Sequence, residues 1–565
     1  MSVDSHYDAI VVGSGFGGSV TAYRLAEAGR RVLVLERGRP YPPGSFTRSP
    51  YRARESFWDP PHGLTGMYHY WSFRGIDALV SAGLGGGSLI YANVFLRKDE
   101  RTFVKEDLAN GGYEYWPVTR ADLDPHYDRV EQMIGLQRFP IEHEPYASTP
   151  KTVAFKEAAD ALGLDHFHPQ LAITFANEGR PPVPGEAIVE EIENLHGRTR
   201  TTCQMSGECD VGCNFGSKNT LDYNYLTHAK HHGAEIRTLA DVRRFSPRER
   251  GGYHVTYADL GAGASEAPPY IDLTCDHLIL SAGTLGTTNL LLRNRSALPG
   301  LSRKIGTRFC GNGDLLTLVL NTHRTVDGRR EPRIVDPGYG PVITTTARIP
   351  GAEDGGEGRG FYLQDAGYPQ HLAWVLHALV APLQLWRWRD GASYLVKNWI
   401  KGSPDTDPTA RIAELLQPAE LSAGGLPLLS MGRDVPDGRM YLHGGRLDID
   451  WNRKASAAYF ERVRNVSRDV AQVLGGRFAD NPLWFLRRVI TVHPLGGAPM
   501  GRHPGEGVVD EWGNVFGHPG LHVADGSVMP GPTGPNPSFT IAALADRFAD
   551  RIIDSDRRAA EAAAP

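Results

Sequence analysis

The chain has 565 residues, which at roughly 150 residues per domain predicts two to four folding units and excludes a single small binding module. Hydrophobic residues make up 41% of the sequence and charged residues 22%, as in ordinary globular proteins, so a disordered or fibrous protein is excluded. Lysine and arginine number 60 against 65 for aspartate and glutamate, and the formal net charge of −5 argues against a nucleic-acid-binding surface.

The first 36 residues predict a strand, a helix and a second strand. Residues 9–12 are an apolar, β-branched run, typical of a strand that is buried in a parallel sheet. Residues 21–30 carry apolar side chains at helical spacing, and residues 32–35 form another apolar run. This order is that of a βαβ unit.

The glycines between the first strand and the helix predict a dinucleotide site. Gly13 permits the tight turn, Gly15 lets a pyrophosphate approach the backbone, and Gly18 lets the helix pack closely on the strand. Glu36 ends the second strand, where a carboxylate accepts hydrogen bonds from a ribose. A carboxylate at this position disfavours a 2′-phosphate, and therefore NADP.

Further elements follow in chain order. The glycines of residues 83–88 indicate either close approach of a flat or charged group, or a bulge or hinge. Residues 277–280 predict a strand that leads through a turn into a helix ending near residue 292. Alternating segments within 315–475 predict an antiparallel sheet with attached helices, and a helix begins at Pro537.

Five segments together resemble the glucose-methanol-choline (GMC) family of FAD oxidoreductases, and within it the bacterial cholesterol oxidase branch. They are GSGFGG, LGGGSLIYAN, SAGTLGT, VHPLGG and VADGSVMPGPTGPNPSFTIAALADR, and they are spread over residues 8–547.

The resemblance implies an α/β fold with two discontinuous domains. A Rossmann-like FAD-binding domain would consist of residues 1–110, 215–316 and 480–558. A substrate-binding domain, residues 111–214 and 317–479, would be built on a mixed, largely antiparallel sheet with helices.

The resemblance also implies which residues hold FAD. Those of the ADP half are Gly13, Gly15, Gly18 and Glu36, with Val242 beside the adenine. Those of the flavin, its ribityl chain and the pyrophosphate are Gly86, Gly87, Ser88, Asn93, Asp525 and Gly526. Pro537 and Ser538 would open the last helix, whose unpaired amides would stabilise negative charge on the reduced flavin.

For catalysis the resemblance points to His493 in VHPLGG and Asn536 in GPNPS. An alcohol must lose its hydroxyl proton as a hydride leaves its carbon for flavin N5. A neutral imidazole can accept that proton, and an amide can orient the oxygen. Gln364 and Asp365 lie where the cholesterol oxidase branch carries an active-site carboxylate, so Gln364 in that place puts steroid double-bond isomerisation in doubt.

Cys203, Cys209 and Cys213 leave two interpretations open. Their spacing resembles the iron–sulfur loop of multi-subunit dehydrogenases in the same family. No fourth cysteine lies nearby, which favours structural cysteines, reduced or joined by one disulfide. We expect no metal.

Residues 371–400 are rich in tryptophan and interleaved with arginine, as in a lid or lipid-contacting surface or, equally, a core helix. The few cysteines and the absence of a signal peptide predict a cytoplasmic protein. The expected activity is FAD-dependent oxidation of a bulky apolar alcohol, steroid-like or terpenoid, to a ketone, with O₂ or another acceptor, and with peripheral membrane contact. The alternatives are an electron-transfer dehydrogenase subunit with an iron–sulfur cluster, and a non-redox enzyme on the same scaffold.

Overall fold

The structure is a computed structural model that describes residues 6–109, 111–262, 268–369 and 424–563. The tryptophan-rich stretch at 371–400 lies outside the described residues, so both interpretations of it stay predictions.

In the described part of the chain, the helices are α1 (Phe16–Glu27), α2 (Arg120–Ile134), α3 (Pro150–Ala161), α4 (Tyr225–His231), α5 (Gly283–Arg293), α6 (Ala457–Val473), α7 (Pro482–Phe485) and α8 (Ser538–Ala563). None of these is long and apolar enough to cross a membrane.

The strands of the N-terminal half are β1 (His6–Val12), β2 (Val32–Leu35), β3 (Trp58–Asp59), β4 (Leu64–Thr65), β5 (Tyr68–Ser72), β6 (Ile76–Ser81), β7 (Val94–Phe95), β8 (Val104–Glu106), β9 (Tyr113–Tyr115), β10 (Gln137–Arg138), β11 (Asp165–Phe167), β12 (Gln170–Leu171), β13 (Glu235–Arg237), β14 (Ala240–Pro247), β15 (Tyr253–Asp259) and β16 (Tyr270–Leu280). Those of the C-terminal half are β17 (Leu315–Leu320), β18 (His323–Val326), β19 (Arg329–Pro332), β20 (Thr346–Ile349), β21 (Phe361–Asp365), β22 (Leu426–Gly432), β23 (Arg439–His443), β24 (Arg446–Asp450), β25 (Arg477–Asp480), β26 (Val489–Thr491) and β27 (Leu521–Val523).

The first large sheet has the order β13-β2-β1-β16-β15-β14, and β27 also pairs with β16. β1 lies between β2 and β16 and is parallel to both, which explains why Ile10 and Val11 are fully buried. Helices α1 and α8 pack on each other and belong to the same hydrophobic core. The predicted α/β fold with a Rossmann-like unit is confirmed.

The predicted helix at 21–30 begins earlier in the structure, at Phe16, with Gly15 at its N-cap. Gly17 and Gly18 therefore lie inside the helix, where glycine normally costs stability. A Cβ at Gly18 would lie 2.0 Å from the carbonyl oxygen of Gly13, so the close approach of the two segments requires glycine. The apolar spacing alone gave no sign of this early start.

The second large sheet has the order β11-β20-β21-β22-β17-β25, and every pair in it is antiparallel. Helix α6 packs on β17 and β25 and buries Phe460 and Val463 against the sheet. The antiparallel sheet expected within 315–475 is present.

A small three-stranded sheet, β26-β6-β5, places the end of β26 next to the start of β17. The chain leaves β26 at Thr491, two residues before His493. The start of β17 and the end of β26 therefore bring two distant segments to one place.

Candidate active site

The glycine turn of the βαβ unit forms an open cradle. Gly13 has a φ of +97°, and a Cβ there would lie 2.3 Å from the carbonyl oxygen of Ser281. At Gly15, by contrast, no atom of the described residues lies within 4 Å of the Cβ position apart from those of Gly15 itself and its neighbours in the chain. Packing therefore requires glycine at position 13, whereas position 15 leaves room for a ligand at the N-terminus of α1.

The second glycine segment, residues 83–88, packs against the glycine turn of the βαβ unit. A Cβ at Gly86 would lie 2.6 Å from Cα of Gly15, whereas the Cβ position of Gly87 faces open space. This contact is between two backbone segments, so both interpretations of residues 83–88, close approach of a flat or charged group and a bulge or hinge, stay predictions. The hydroxyl of Ser88 donates to the Gly85 carbonyl at 2.7 Å and accepts from Leu221 N–H at 3.1 Å, so it is used within the protein.

Glu36 is buried and its carboxylate is held in place. It accepts from the hydroxyl of Ser14 at 2.7 Å and from the backbone N–H groups of Ser14 at 3.0 Å and Gly38 at 2.8 Å. The Ser14 hydroxyl also accepts from Gly85 N–H at 3.0 Å. Ser14 thus joins both glycine segments to Glu36; the sequence analysis missed it, although its position between Gly13 and Gly15 was a signal.

Asn93 fits an absent polar ligand. It is fully buried, has a φ of +67°, and neither its amide oxygen nor its amide nitrogen has a hydrogen-bond partner among the described residues. Buried unsatisfied amides are costly, and they cluster at binding sites. The residues around this cradle therefore fit a bound dinucleotide.

The remaining predicted cofactor residues lie around the same sheet. Val242 lies on β14, and Ala240 on that strand donates its N–H to the Glu36 carbonyl at 2.9 Å. Asp525 follows β27, and its carboxylate accepts from Thr287 Oγ1 at 2.5 Å and Ser527 Oγ at 2.6 Å. Burial raises the pKa of Asp525.

The last helix begins one residue later than predicted. α8 begins at Ser538, not at Pro537, and the Pro537 carbonyl accepts from Ile541 N–H at 2.9 Å. Pro537 is therefore the residue that caps the helix. A Cβ at Gly526 would lie 2.8 Å from Thr284 Oγ1, so Gly526 packs against α5.

His493 lies just after β26, and its side chain is hydrogen-bonded to that of Asp314, the residue before β17. The two side chains approach at 2.8 Å between His493 Nδ1 and Asp314 Oδ1. The other oxygen of Asp314 accepts from Thr491 Oγ1 at 2.8 Å and from Val492 N–H at 2.9 Å. The sequence analysis missed Asp314, because nothing near it in the chain marks it.

Asn536 lies in a loop whose backbone is hydrogen-bonded to the side chain of Asn312. The Asn312 side chain accepts from the N–H groups of Thr533 at 2.9 Å and Gly534 at 3.1 Å, and donates to the Pro535 carbonyl at 3.1 Å. Residues 312 and 314 thus hold the loops of Asn536 and His493 respectively. This short segment brings the two predicted catalytic residues to one region of the protein.

Gln364 and Asp365 lie on opposite faces of β21, as neighbours on a strand must. Gln364 Nε2 donates to Asn536 Oδ1 at 3.1 Å, whereas Asp365 is fully buried and pairs with Lys151 at 2.6 Å. The carboxylate is therefore directed away from Asn536. Gln364 takes the place next to the predicted catalytic amide.

The three cysteines of the loop are free thiols in this structure. Burial raises the pKa of the Cys203 thiol, and raises that of Cys209 to about 11. They are not among the described groups of three residues whose ligand atoms lie within 4.8 Å of one another. The cluster interpretation thus lacks geometric support in this part of the chain.

The group that does meet this distance is His126, Asp546 and Asp550. Arg24 and Arg129 both form ion pairs with Asp546 and Asp550, which neutralise the carboxylates. We interpret this group as a structural charge network between α1, α2 and α8.

Comparison with known proteins identifies the family. A GMC oxidoreductase model matches residues 192–311, and a second GMC oxidoreductase model matches residues 436–545. A model of an NAD(P)-binding Rossmann-like domain matches residues 11–72, which contain the glycine turn and Glu36.

Relatives align over nearly the whole chain. A cholesterol oxidase of Mycobacterium tuberculosis (strain ATCC 25618 / H37Rv) is 29% identical over 560 residues, covering 96% of this chain and 90% of the relative. A cholesterol oxidase of Acinetobacter baumannii is 27% identical over 569 residues, covering 97% and 94%.

The crystal structure of pyridoxine 4-oxidase from Mesorbium loti matches with a TM-score of 0.55 and 18% identity, covering 96% of this chain and 98% of that one, which shows the fold alone. With the two oxidoreductase models and the full-length relatives in agreement, the chain belongs to the GMC oxidoreductase family and is an enzyme of the oxidoreductase class.

Proposed function

We propose that the enzyme binds FAD and oxidises a secondary hydroxyl of a bulky apolar alcohol, steroid-like or terpenoid, to a ketone, with O₂ or another electron acceptor. The observation that carries the alcohol chemistry is that Asn312 and Asp314, which are neighbours but one in the chain, hydrogen-bond to the loops of Asn536 and His493 respectively. The substrate class is supported by two of the relatives, the cholesterol oxidases at 27% and 29% identity.

The proposal that the cofactor is FAD rests on the residues of the glycine cradle and on those beside it. Gly15 and Gly87 leave open space, Glu36 offers a carboxylate for a ribose, and Asn93 offers an unpartnered amide. When bound, FAD supplies the acceptor for the hydride that leaves the alcohol carbon.

The protein groups supply proton transfer and orientation. His493 Nε2 accepts the hydroxyl proton as the C–O bond becomes a carbonyl. Because Asn536 Oδ1 already accepts from Gln364, its Nδ2 is left to donate to the substrate oxygen and to stabilise negative charge on it. A cytoplasmic location, contact with a lipid surface and the two-domain boundaries stay predictions from the sequence.

Two measurements test the proposal. Denaturing the purified protein and chromatographing the released flavin should yield FAD; FMN alone, or no flavin after reconstitution, would reject the cofactor. Anaerobic mixing with 3β-hydroxysteroids and terpenoid alcohols should bleach the flavin faster than mixing with glucose or short primary alcohols. The opposite preference would reject the substrate class.

A further inference from the structure

We propose that Asp314 is a positioning residue for His493, whose imidazole it holds with Nδ1 protonated and Nε2 bare. The inference rests on the proposed role of His493 as proton acceptor. It assigns that role to one ring nitrogen, and it adds the carboxylate of a distant chain segment, the residue before β17, to the groups that serve the reaction.

The contacts fix the tautomer. Asp314 is 2% exposed, and its Oδ1 lies 2.8 Å from His493 Nδ1. An ionised carboxylate has no proton to donate, so Nδ1 must carry the hydrogen of this bond. In the neutral ring the lone pair then resides on Nε2, and that nitrogen is the one that can accept a proton.

The carboxylate itself cannot turn away. Its Oδ2 accepts from Thr491 Oγ1 at 2.8 Å, Val492 N–H at 2.9 Å and His493 N–H at 3.2 Å. These donors come from the same loop as the imidazole, so the carboxylate fixes both the ring and its backbone. A histidine held this way loses little entropy when a substrate arrives.

A second carboxyl group, that of Asp434, lies near Asp314. Asp434 is fully buried and accepts from Gly311 N–H at 2.9 Å, and its other oxygen has no hydrogen-bond partner in the part of the chain that the structure describes. Burial, with Asp314 and Glu106 close by, raises the pKa of Asp434 to about 7. Asp314, by contrast, accepts four hydrogen bonds, all from residues 491–493.

The charge of Asp314 also suits the reaction. Within the described residues, no arginine or lysine pairs with Asp314, and its ion-pair partner is His493. When the substrate O–H bond breaks and its proton passes to Nε2, the ring becomes a cation that faces this carboxylate. The negative charge then stabilises the imidazolium while the C–H electron pair leaves as hydride.

The tautomer can be read in the unmodified holoenzyme by ¹⁵N NMR of histidine-labelled protein, with His493→Gln to assign the signal. We expect a protonated Nδ1 and a bare Nε2 at His493. A protonated Nε2 with a bare Nδ1 would overturn the inference without any variant of Asp314 having to fold.

Kinetics supply the second arm. Asp314→Asn should slow flavin reduction by substrate about 10²- to 10⁴-fold with little change in substrate affinity, and Asp314→Glu should recover part of that loss. The matched control is Asp77→Asn: Asp77 is also buried, pairs with Arg488, and is the register partner of Ile490 on β26. The control should stay near the wild-type rate.

An Asp314→Asn enzyme at the wild-type rate, or one slowed no more than Asp77→Asn, would show that Asp314 only supports the fold. If His493→Gln itself reduced its flavin at the wild-type rate, the proposed function would fail instead, so the two failures are distinguishable.

Discussion

Gln364 on β21 donates its side-chain N–H to Oδ1 of Asn536 at 3.1 Å, although 172 residues separate them in the chain. A second N–H contact joins Gln364 to Thr346 Oγ1 at 3.0 Å on the neighbouring strand, so the amide is held from two sides. The orientation of Asn536 therefore depends on an amide donor at position 364.

Gln364→Glu should slow flavin reduction about 10- to 100-fold, because a carboxylate cannot donate to Asn536 and leaves its buried amide oxygen unsatisfied, at a cost of roughly 1–3 kcal/mol. Stopped-flow reduction under anaerobic conditions measures it. The matched control is Gln137→Glu, since Gln137 is bonded only to the backbone at residues 175 and 176. Equal rates in wild-type and Gln364→Glu enzyme would contradict the orienting role.

The wild-type enzyme should also stop at the unconjugated ketone. Gln364 has no group to carry a proton between carbons, and Asp365 faces Lys151 instead. With a 3β-hydroxy-5-ene steroid, the ultraviolet absorbance of a conjugated enone should not appear together with flavin turnover. Conjugated product formed at the oxidation rate, beyond spontaneous isomerisation of the isolated ketone, would refute this.

Gly15→Ala and Gly18→Ala should separate cofactor binding from folding. A methyl group at Gly15 enters open space, so the apoprotein should melt as wild type does while FAD affinity falls. At Gly18 it meets the Gly13 carbonyl oxygen at 2.0 Å, which should cost about 1–3 kcal/mol of unfolding free energy in the apoprotein itself. Thermal melts and flavin-fluorescence titrations give the two quantities, and a Gly15→Ala protein with unchanged FAD affinity would argue against the cradle.

Asp434→Asn should change how stability depends on pH. The folded protein raises the pKa of Asp434 from 3.8 to about 7, so between these values the folded state binds more protons than the unfolded state. Asp434 therefore makes its full contribution to the stability of the folded state below about pH 4. This contribution is lost as the pH rises towards about 7.

Asparagine does not ionise. As the pH rises from about 4 to about 7, the unfolding free energy of the variant should therefore increase relative to that of the wild type, and above about pH 7 the difference should stay constant. Urea unfolding midpoints measured at several pH values test this. Parallel curves for the two proteins would show that Asp434 titrates normally in the folded state.

The cysteine loop should contain no iron after anaerobic purification. Among the described residues, the three cysteines do not form a group whose ligand atoms all lie within 4.8 Å of one another, and the sequence offers no fourth cysteine nearby. Iron and sulfide analysis decides it, with absorbance beyond the flavin bands as a second readout. A stoichiometric iron content would move the proposed function towards an electron-transfer dehydrogenase.

The sequence by itself determined the first βαβ unit and its ligand class. The strand at β1, the glycines at 13, 15 and 18, and the carboxylate at 36 lie within one short segment, so their spacing already defines the turn. Family motifs likewise predicted His493 and Asn536 as catalytic residues, a role that stays a prediction. What the motifs could not show is which groups surround these two residues.

Those partners were decided by the tertiary structure. Asp314 meets His493 across 179 residues, and Gln364 meets Asn536 across 172, because the start of β17, the end of β26 and one face of β21 converge. Of the neighbours Gln364 and Asp365, only the pleat of β21 selects the one that faces Asn536. The spacing of residues along the chain predicts local geometry. The direction of a side chain on a sheet depends instead on the pairing of its strand with distant segments.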